Sequence, residues 1–175
     1  MAVLPIRRYP DPALLKPSEP VATINQDLRT LADDMIETMK DASGVGLAAP
    51  QVGVNVRLVT IDRDPEKHDP IVLVNPVFVR RSKEKETAEE GCLSFPGLRV
   101  KLKRHVGVTC QAQDLEGNVF EIEADGLISR ALQHEMDHLD GIVFVARLGA
   151  GARRAVRGEL EAMTEAYRLF HPNEN

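Results

Sequence analysis

The stretch Gln133-His134-Glu135-Met136-Asp137-His138-Leu139 decides how the rest of the chain is read. Its two histidines stand four residues apart, with a glutamate directly after the first. On a helix four residues make just over one turn, so His134 and His138 project from one face and can grip a single metal ion. Glu135 is turned from His134 by about a third of a turn. It is too poorly aimed to be a ligand, yet near enough to reach a water beside the ion. This is the HExxH arrangement of metal-dependent hydrolases.

The flanking residues predict that this helix is buried. Ala124-Asp125-Gly126 offers its start, with Asp125 as N-cap, and Gly141 offers its stop. Leu127, Ala131, His134 and His138 follow one face, and Ile128, Leu132 and Leu139 form an apolar face beside them. Buried imidazoles need partners for their ring nitrogens, because an unpaired polar group in the interior is costly. Arg130, one turn before His134, places a charge on the site side; its stem is expected to line a pocket while its head reaches solvent.

The 175 residues suffice for one domain with a full-sized core, spanning 1–175. Apolar content of 43% and charged content of 28% describe a soluble globular chain. With no tryptophan and few other aromatics, the core is expected to be aliphatic. The net charge is −5 and no basic block is long enough to track a phosphate backbone, which argues against nucleic acid as a partner. Lys101, Lys103 and Arg104, and the pair Arg153 and Arg154, read as solvated faces. No window approaches the run of about 18 apolar residues that spans a bilayer. Met1-Ala2-Val3-Leu4-Pro5 opens neither a signal nor a transit peptide, so a cytoplasmic protein is expected. In such a chain Cys92 and Cys110 are free thiols or a metal ligand rather than a bridge.

Residues 1–22 carry five prolines and read as an extended arm with a helical turn near Asp11 to Leu15. Residues 25–42 switch to helical period, with Leu28, Leu31, Met35 and Met39 as the buried stripe and Asn25 as N-cap. Gly44 to Gly53, GVGLAAPQVG, is too glycine-rich for a strand interior or a helix. Strand-length runs follow at Val56 to Ile61 and Ile71 to Val79, and 82–90 reads as a solvated edge strand. Glu90 to Gly97 reads as irregular. Val106 to Asp114 alternates, Leu115 to Asn118 is a turn, and Val119 to Ala124 returns as a partner strand. Val156, Leu160, Met163, Tyr167 and Phe170 predict a long amphipathic C-terminal helix. Strands and helices without regular βαβ alternation make this an α+β fold: antiparallel sheets around a central metal-binding helix, with helices at both ends.

A catalytic histidine pair wants a third protein ligand and an open fourth position. His68, His105, His171 and several carboxylates are candidates, and Cys92 is the better one. It stands between Gly91 and Leu93 in a glycine-flanked turn, where backbone can approach a metal closely. Cys110 falls on the apolar face of a strand and reads as a small buried hydrophobe. A nucleophilic Cys92 paired with histidine is the rival role, but it leaves the second histidine and Glu135 without work. Gly44 and Gly46 leave backbone groups free for an extended ligand. Gln51 is the one polar side chain of its segment able to donate to a developing oxyanion. Glu90 is expected to pair with Arg99 or Arg104 and brace the Cys92 turn.

Gly44-Val45-Gly46-Leu47-Ala48-Ala49-Pro50-Gln51, Glu90-Gly91-Cys92-Leu93-Ser94 and Gln133-His134-Glu135-Met136-Asp137-His138 together resemble the three signature motifs of the peptide deformylase family, in order and at compatible spacing. The resemblance runs from the N-terminal arm to about Arg147, and the helical C-terminus is similar to the bacterial branch. It implies hydrolysis of the N-formyl group from the formyl-methionine of nascent polypeptides, with release of formate. It implies Cys92, His134 and His138 as ligands of one divalent ion, Fe2+ in bacterial members, with Zn2+, Ni2+ or Co2+ able to replace it in purified protein. Glu135 would be the general base and then acid, and Gln51 with the Leu93 N–H would hold the oxyanion. A methionine pocket would draw on Val45, Leu127 and Ala131, with Gly46 and Gly91 as further substrate-binding positions. The ribosome is a candidate partner, through Arg153 and Arg154. The competing readings are an HExxH metallopeptidase cutting internal bonds, and a metal- or peptide-binding module without catalysis.

Overall fold

The computed structural model describes residues 2–172. A 3-10 turn at Pro12–Leu15 precedes helix α1 (Gln26–Asp41), strand β1 (Gly46–Ala48) and a second 3-10 turn at Ala49–Val52. Six strands follow: β2 (Leu58–Asp62), β3 (Pro70–Arg81), β4 (Lys85–Cys92), β5 (Phe95–His105), β6 (Gly107–Gln113) and β7 (Val119–Asp125). Then come α2 (Gly126–Leu139), a 3-10 turn at Phe144–Arg147, α3 (Ala150–Ala155) and α4 (Arg157–Phe170). The strands form a five-stranded sheet in the order β1-β2-β3-β6-β7 and a separate two-stranded sheet β4-β5. Every ladder within them is antiparallel, so the fold is α+β as expected.

The larger sheet is covered on both faces. Val59 and Ile61 of β2 pack with Leu73, Cys110, Leu132, Met136 and Leu139 under α2. Leu58, the alternate residue of the same strand, packs with Leu28, Ala32, Met35 and Met39 of α1. This two-sided burial is why all five residues of β2 are buried, Thr60 and Asp62 included. The third cluster joins Phe95, Leu98, Val100 and Leu102 of the hairpin to Leu14, Val143, Phe144 and Val145. The core is mainly aliphatic, but Phe95 and Phe144 lie edge to face at 5.0 Å with Tyr9 stacked on Phe95 at 4.9 Å. Met35 and Met39 are core residues, as expected. Asn25 caps α1 by accepting from the Leu28 N–H at 2.9 Å. No helix among the described residues is long and apolar enough to cross a membrane.

Several local expectations are corrected. Gly46–Ala48 is a buried strand, paired with β2 from Gly46↔Ile61 to Ala48↔Val59. Glycine belongs there because a Cβ on Gly46 would stand 2.8 Å from Glu135 Cγ. Glu90 to Gly97 is not irregular: β4 runs to Cys92 and β5 begins at Phe95, with a register shift at the Gly91/Cys92 step. Asp125 occupies the N-cap position of α2 but makes no side-chain capping bond. The C-terminal helix breaks at Val156, so α3 precedes α4, and Phe170 is exposed rather than packed. Arg104 is buried while Lys101, Lys103, Arg153 and Arg154 are exposed.

Candidate metal centre

Three separated segments meet at one point. The 3-10 turn at Ala49–Val52 carries Gln51, the end of β4 carries Cys92, and α2 carries His134, Glu135 and His138. The N-terminal arm ties all three together by backbone. Arg7 N–H donates to Gln51 C=O at 2.7 Å, Tyr9 N–H to Ser94 C=O at 3.0 Å, and Ser18 N–H to Leu139 C=O at 2.7 Å. Five prolines make the arm extended, and an extended arm can hand its N–H groups to neighbours instead of to itself.

One ligating atom from each of Cys92, His134 and His138 lies within 4.8 Å of the others. Cys92 Sγ is 3.3 Å from His138 Nε2, across 46 residues of chain, and the two rings lie 4.9 Å apart. His134 Nδ1 is bonded to Glu90 Oε1 at 2.6 Å, which fixes the ring and turns Nε2 toward the sulfur and His138. A thiolate and two imidazoles form a donor set that suits a first-row transition ion or zinc. A second observation fits as well: among the described residues Glu135 Oε2 is buried without a hydrogen-bond partner. A carboxylate oxygen kept free beside such a donor set is available to a water or a substrate.

Glu135 is 4% exposed, and burial, aided by Glu90 and Asp137, raises its pKa to about 7 against the pull of His134 and Arg104. Burial pushes Glu90 the same way, but hydrogen bonds from His134 and Arg104 win and hold it at about 2. Burial also opposes charge on His134, yet Cys92, Glu90 and Glu135 around it raise its pKa well above the ordinary value. For His138 burial and the neighbouring His134 and Arg104 act together, and its pKa is lowered. Gln51 is oriented by the backbone three residues before it: the Ala48 N–H donates to Oε1 at 2.8 Å. Its Nε2 is therefore the atom facing Ser94 Oγ at 3.3 Å and Cys92 Sγ at 3.7 Å.

A cavity of about 390 Å³ opens onto this cluster, lined by Val45, Gly46, Gly91, Leu93, Leu127 and Ala131 among others. Every residue assigned to the pocket from sequence thus lies on its wall, although Leu127 is 58% exposed and stands at the rim. A larger cavity of about 580 Å³ lies between the arm and α4, but none of Gln51, Cys92 or the HExxH residues lines it. Volume does not mark the site; convergent polar groups do. His105 and His68 are engaged elsewhere, with Ser82 C=O at 2.6 Å and Asp62 at 3.4 Å, and His171 sits on Tyr167. Cys110 is fully buried, and burial raises its thiol to about 11, so it is the hydrophobe expected.

Arg130 corrects its expectation. It lines the cavity as expected, but its half-buried head is tied down, donating to Glu90 Oε2 at 3.2 Å and to the carbonyls of Leu102 and Glu86 at 3.0 Å each. Glu90 pairs with Arg104 as expected, whereas Arg99 takes Glu89 instead. The bond from Glu90 to His134, and the burial of Asp137 between Arg104 and Arg147, were missed from sequence. A signal for Arg104 existed: it continues the inward alternation of Leu98, Val100 and Leu102.

The fold and this cluster define a small α+β hydrolase with a candidate metal site. The polypeptide deformylase family model matches residues 3–154, and the chain belongs to that family. It is 46% identical over 168 residues to a peptide deformylase of Acidobacterium capsulatum, covering 95% of this chain and 98% of the relative. Identity to one from Thermodesulfovibrio yellowstonii is 48% over 159 residues, covering 90% and 96%. Among solved structures, a peptide deformylase from Legionella pneumophila superposes with TM-score 0.86 at 41% identity, covering 99% of this chain and 100% of that one. Arabidopsis thaliana peptide deformylase 1B superposes with TM-score 0.89 at 38% identity, covering 93% and 91%. The family decides for the deformylase reading over the internal-bond metallopeptidase and the non-catalytic module.

Proposed function

We propose that this deformylase removes the formyl group from the N-terminal formyl-methionine of new polypeptides by means of an ion held by Cys92, His134 and His138. The observation that carries the reading is the approach of those three ligating atoms to within 4.8 Å, beside a buried carboxylate with a free oxygen. When bound, the ion supplies positive charge that acidifies water and polarises the formyl carbonyl. Glu135 Oε2 takes the proton of the attacking water and later delivers it to the departing amine. A buried carboxylate with one free oxygen is placed to serve both roles. Gln51 Nε2, held in place through Ala48, and the Leu93 N–H receive the charge that develops on the formyl oxygen. Val45, Leu127 and Ala131 receive the methionine side chain, and Gly46 and Gly91 line the same cavity for the rest of the substrate. The chain works as one catalytic domain, since its groups come from segments as far apart as Gln51 and His138.

The family resemblance supports Fe2+ as the working ion, with Zn2+, Ni2+ or Co2+ as substitutes. Formylated chains are made in the bacterial cytoplasm, and that is where the enzyme acts, with the exposed Arg153 and Arg154 free to meet the ribosome. The test is a formate-release assay on a formyl-methionyl peptide after anaerobic loading. Formate without peptide fragmentation is expected, with faster turnover on Fe2+ than on Zn2+. Internal cleavage would contradict the activity, and equal turnover on the two ions would contradict the choice of iron.

A further inference from the structure

Two strands alone make a marginal unit, and β4–β5 is a sheet of its own. Yet this hairpin carries Cys92, whose sulfur has to meet imidazoles carried by α2. The apolar packing of Phe95, Leu98, Val100 and Leu102 holds the hairpin down but is non-directional. Arg104 ends that inward face with a charge. All three of its guanidinium nitrogens are committed. Nε and Nη2 fork onto Glu90 at 3.1 and 2.7 Å, and Nη1 donates to Asp137 at 2.6 Å. Glu90 stands two residues before Cys92 and also holds His134 Nδ1 at 2.6 Å; Asp137 directly precedes His138. One planar group therefore spans from the strand of the sulfur to the helix of the imidazoles.

We propose that Arg104 is a positioning residue that sets the register of Cys92 against His134 and His138; this rests on reading those three as the ion-binding set. Arg104 serves the centre through Glu90 and Asp137, by geometry. A guanidinium holds two carboxylates in one plane, whereas a lysine ammonium is a point charge on a flexible stem. Arg130 and Arg147 each touch one of the two carboxylates, at 3.2 and 2.6 Å, and neither bridges them.

The test uses the whole chain with Co2+ as the probe. The wild type is expected to show a thiolate-to-cobalt charge-transfer band. Arg104→Lys is expected to weaken that band and to lose the ion to a chelator about ten- to hundredfold faster, with the far-ultraviolet circular dichroism unchanged. Arg147→Gln, which leaves the bridge intact, keeps the wild-type band. A wild-type band and off-rate in Arg104→Lys overturn the proposal, including where only the melting temperature falls. Should Arg104→Lys not fold, Asp137→Asn weakens the helix end of the bridge together with the Arg147 pair, which Arg147→Gln removes by itself; the same loss is expected, and a wild-type band and off-rate overturn the proposal. Absence of the band in the wild type would overturn the three-ligand reading itself, so the two failures are told apart.

Discussion

Helices α2 and α4 are each 14 residues long and both amphipathic, yet α2 buries nine of its residues and α4 buries none. The apolar period is the same signal in both, so it identifies a helix without saying what covers its other face. On α2 the covered face is polar. Gln133 exchanges bonds of 2.9 Å with the backbone of His105, Asp137 takes Arg104 and Arg147, and His134 takes Glu90. Each partner comes from the β4–β5 hairpin or from the turn after the helix. On α4 the partners are surface ion pairs such as Arg157 with Glu161 at 3.6 Å, which contribute little. A buried polar face costs free energy unless it is fully partnered. The cost is sustained where the face performs chemistry.

The contrast yields graded expectations. Glu135→Gln keeps the shape that packs against Gly46 and removes the proton carrier. Formate release should fall by about 10²–10⁴-fold while metal content, measured on the same sample, stays at the wild-type level. Retained turnover would reduce α2 to a structural helix like α4. Leu139→Ala opens a cavity under a fully buried side chain. It should lower unfolding stability by about 2–5 kcal/mol in a denaturant titration, and a negligible change would mean that α2 is not the core helix. Phe170→Ala on α4 removes a side chain that is 82% exposed. A change within about 0.5 kcal/mol is expected in the same titration; a large loss would show that α4 is covered in solution and bring the two helices closer together.

Much of this was legible in sequence, and the misses share a physical cause. Asn25, the α1 stripe, the strands on either side of the Leu115 to Asn118 turn and the HExxH helix all follow from local period and turn chemistry. Gln51, Cys92, His134, Glu135 and His138 are legible as residue types able to act together; the fold brings the first four to one cavity wall and sets buried His138 against Cys92 at 3.3 Å. The β1 strand was not legible because three residues show no period, and because Gly46 answers to Glu135, 89 positions further along. Arg104 looked solvated beside Lys101 and Lys103. Only its strand face, and carboxylates at Glu90 and Asp137 that approach in space, account for its burial. The anchoring of the Arg130 head is illegible for the same reason, since its carbonyl acceptors lie on β4 and β5. Local pattern reports a residue's face; the partner that makes a buried charge tolerable is always a matter of the fold.

The central claim is that a sulfur on the hairpin and two imidazoles on α2 share one ion. Metal content after dialysis, measured on the wild type and on Cys92→Ala, His134→Ala and His138→Ala, tests it most directly. The account predicts about one ion per chain in the wild type and loss of most of it in each variant, with the fold retained. A full complement of metal in any one of the three variants would contradict it.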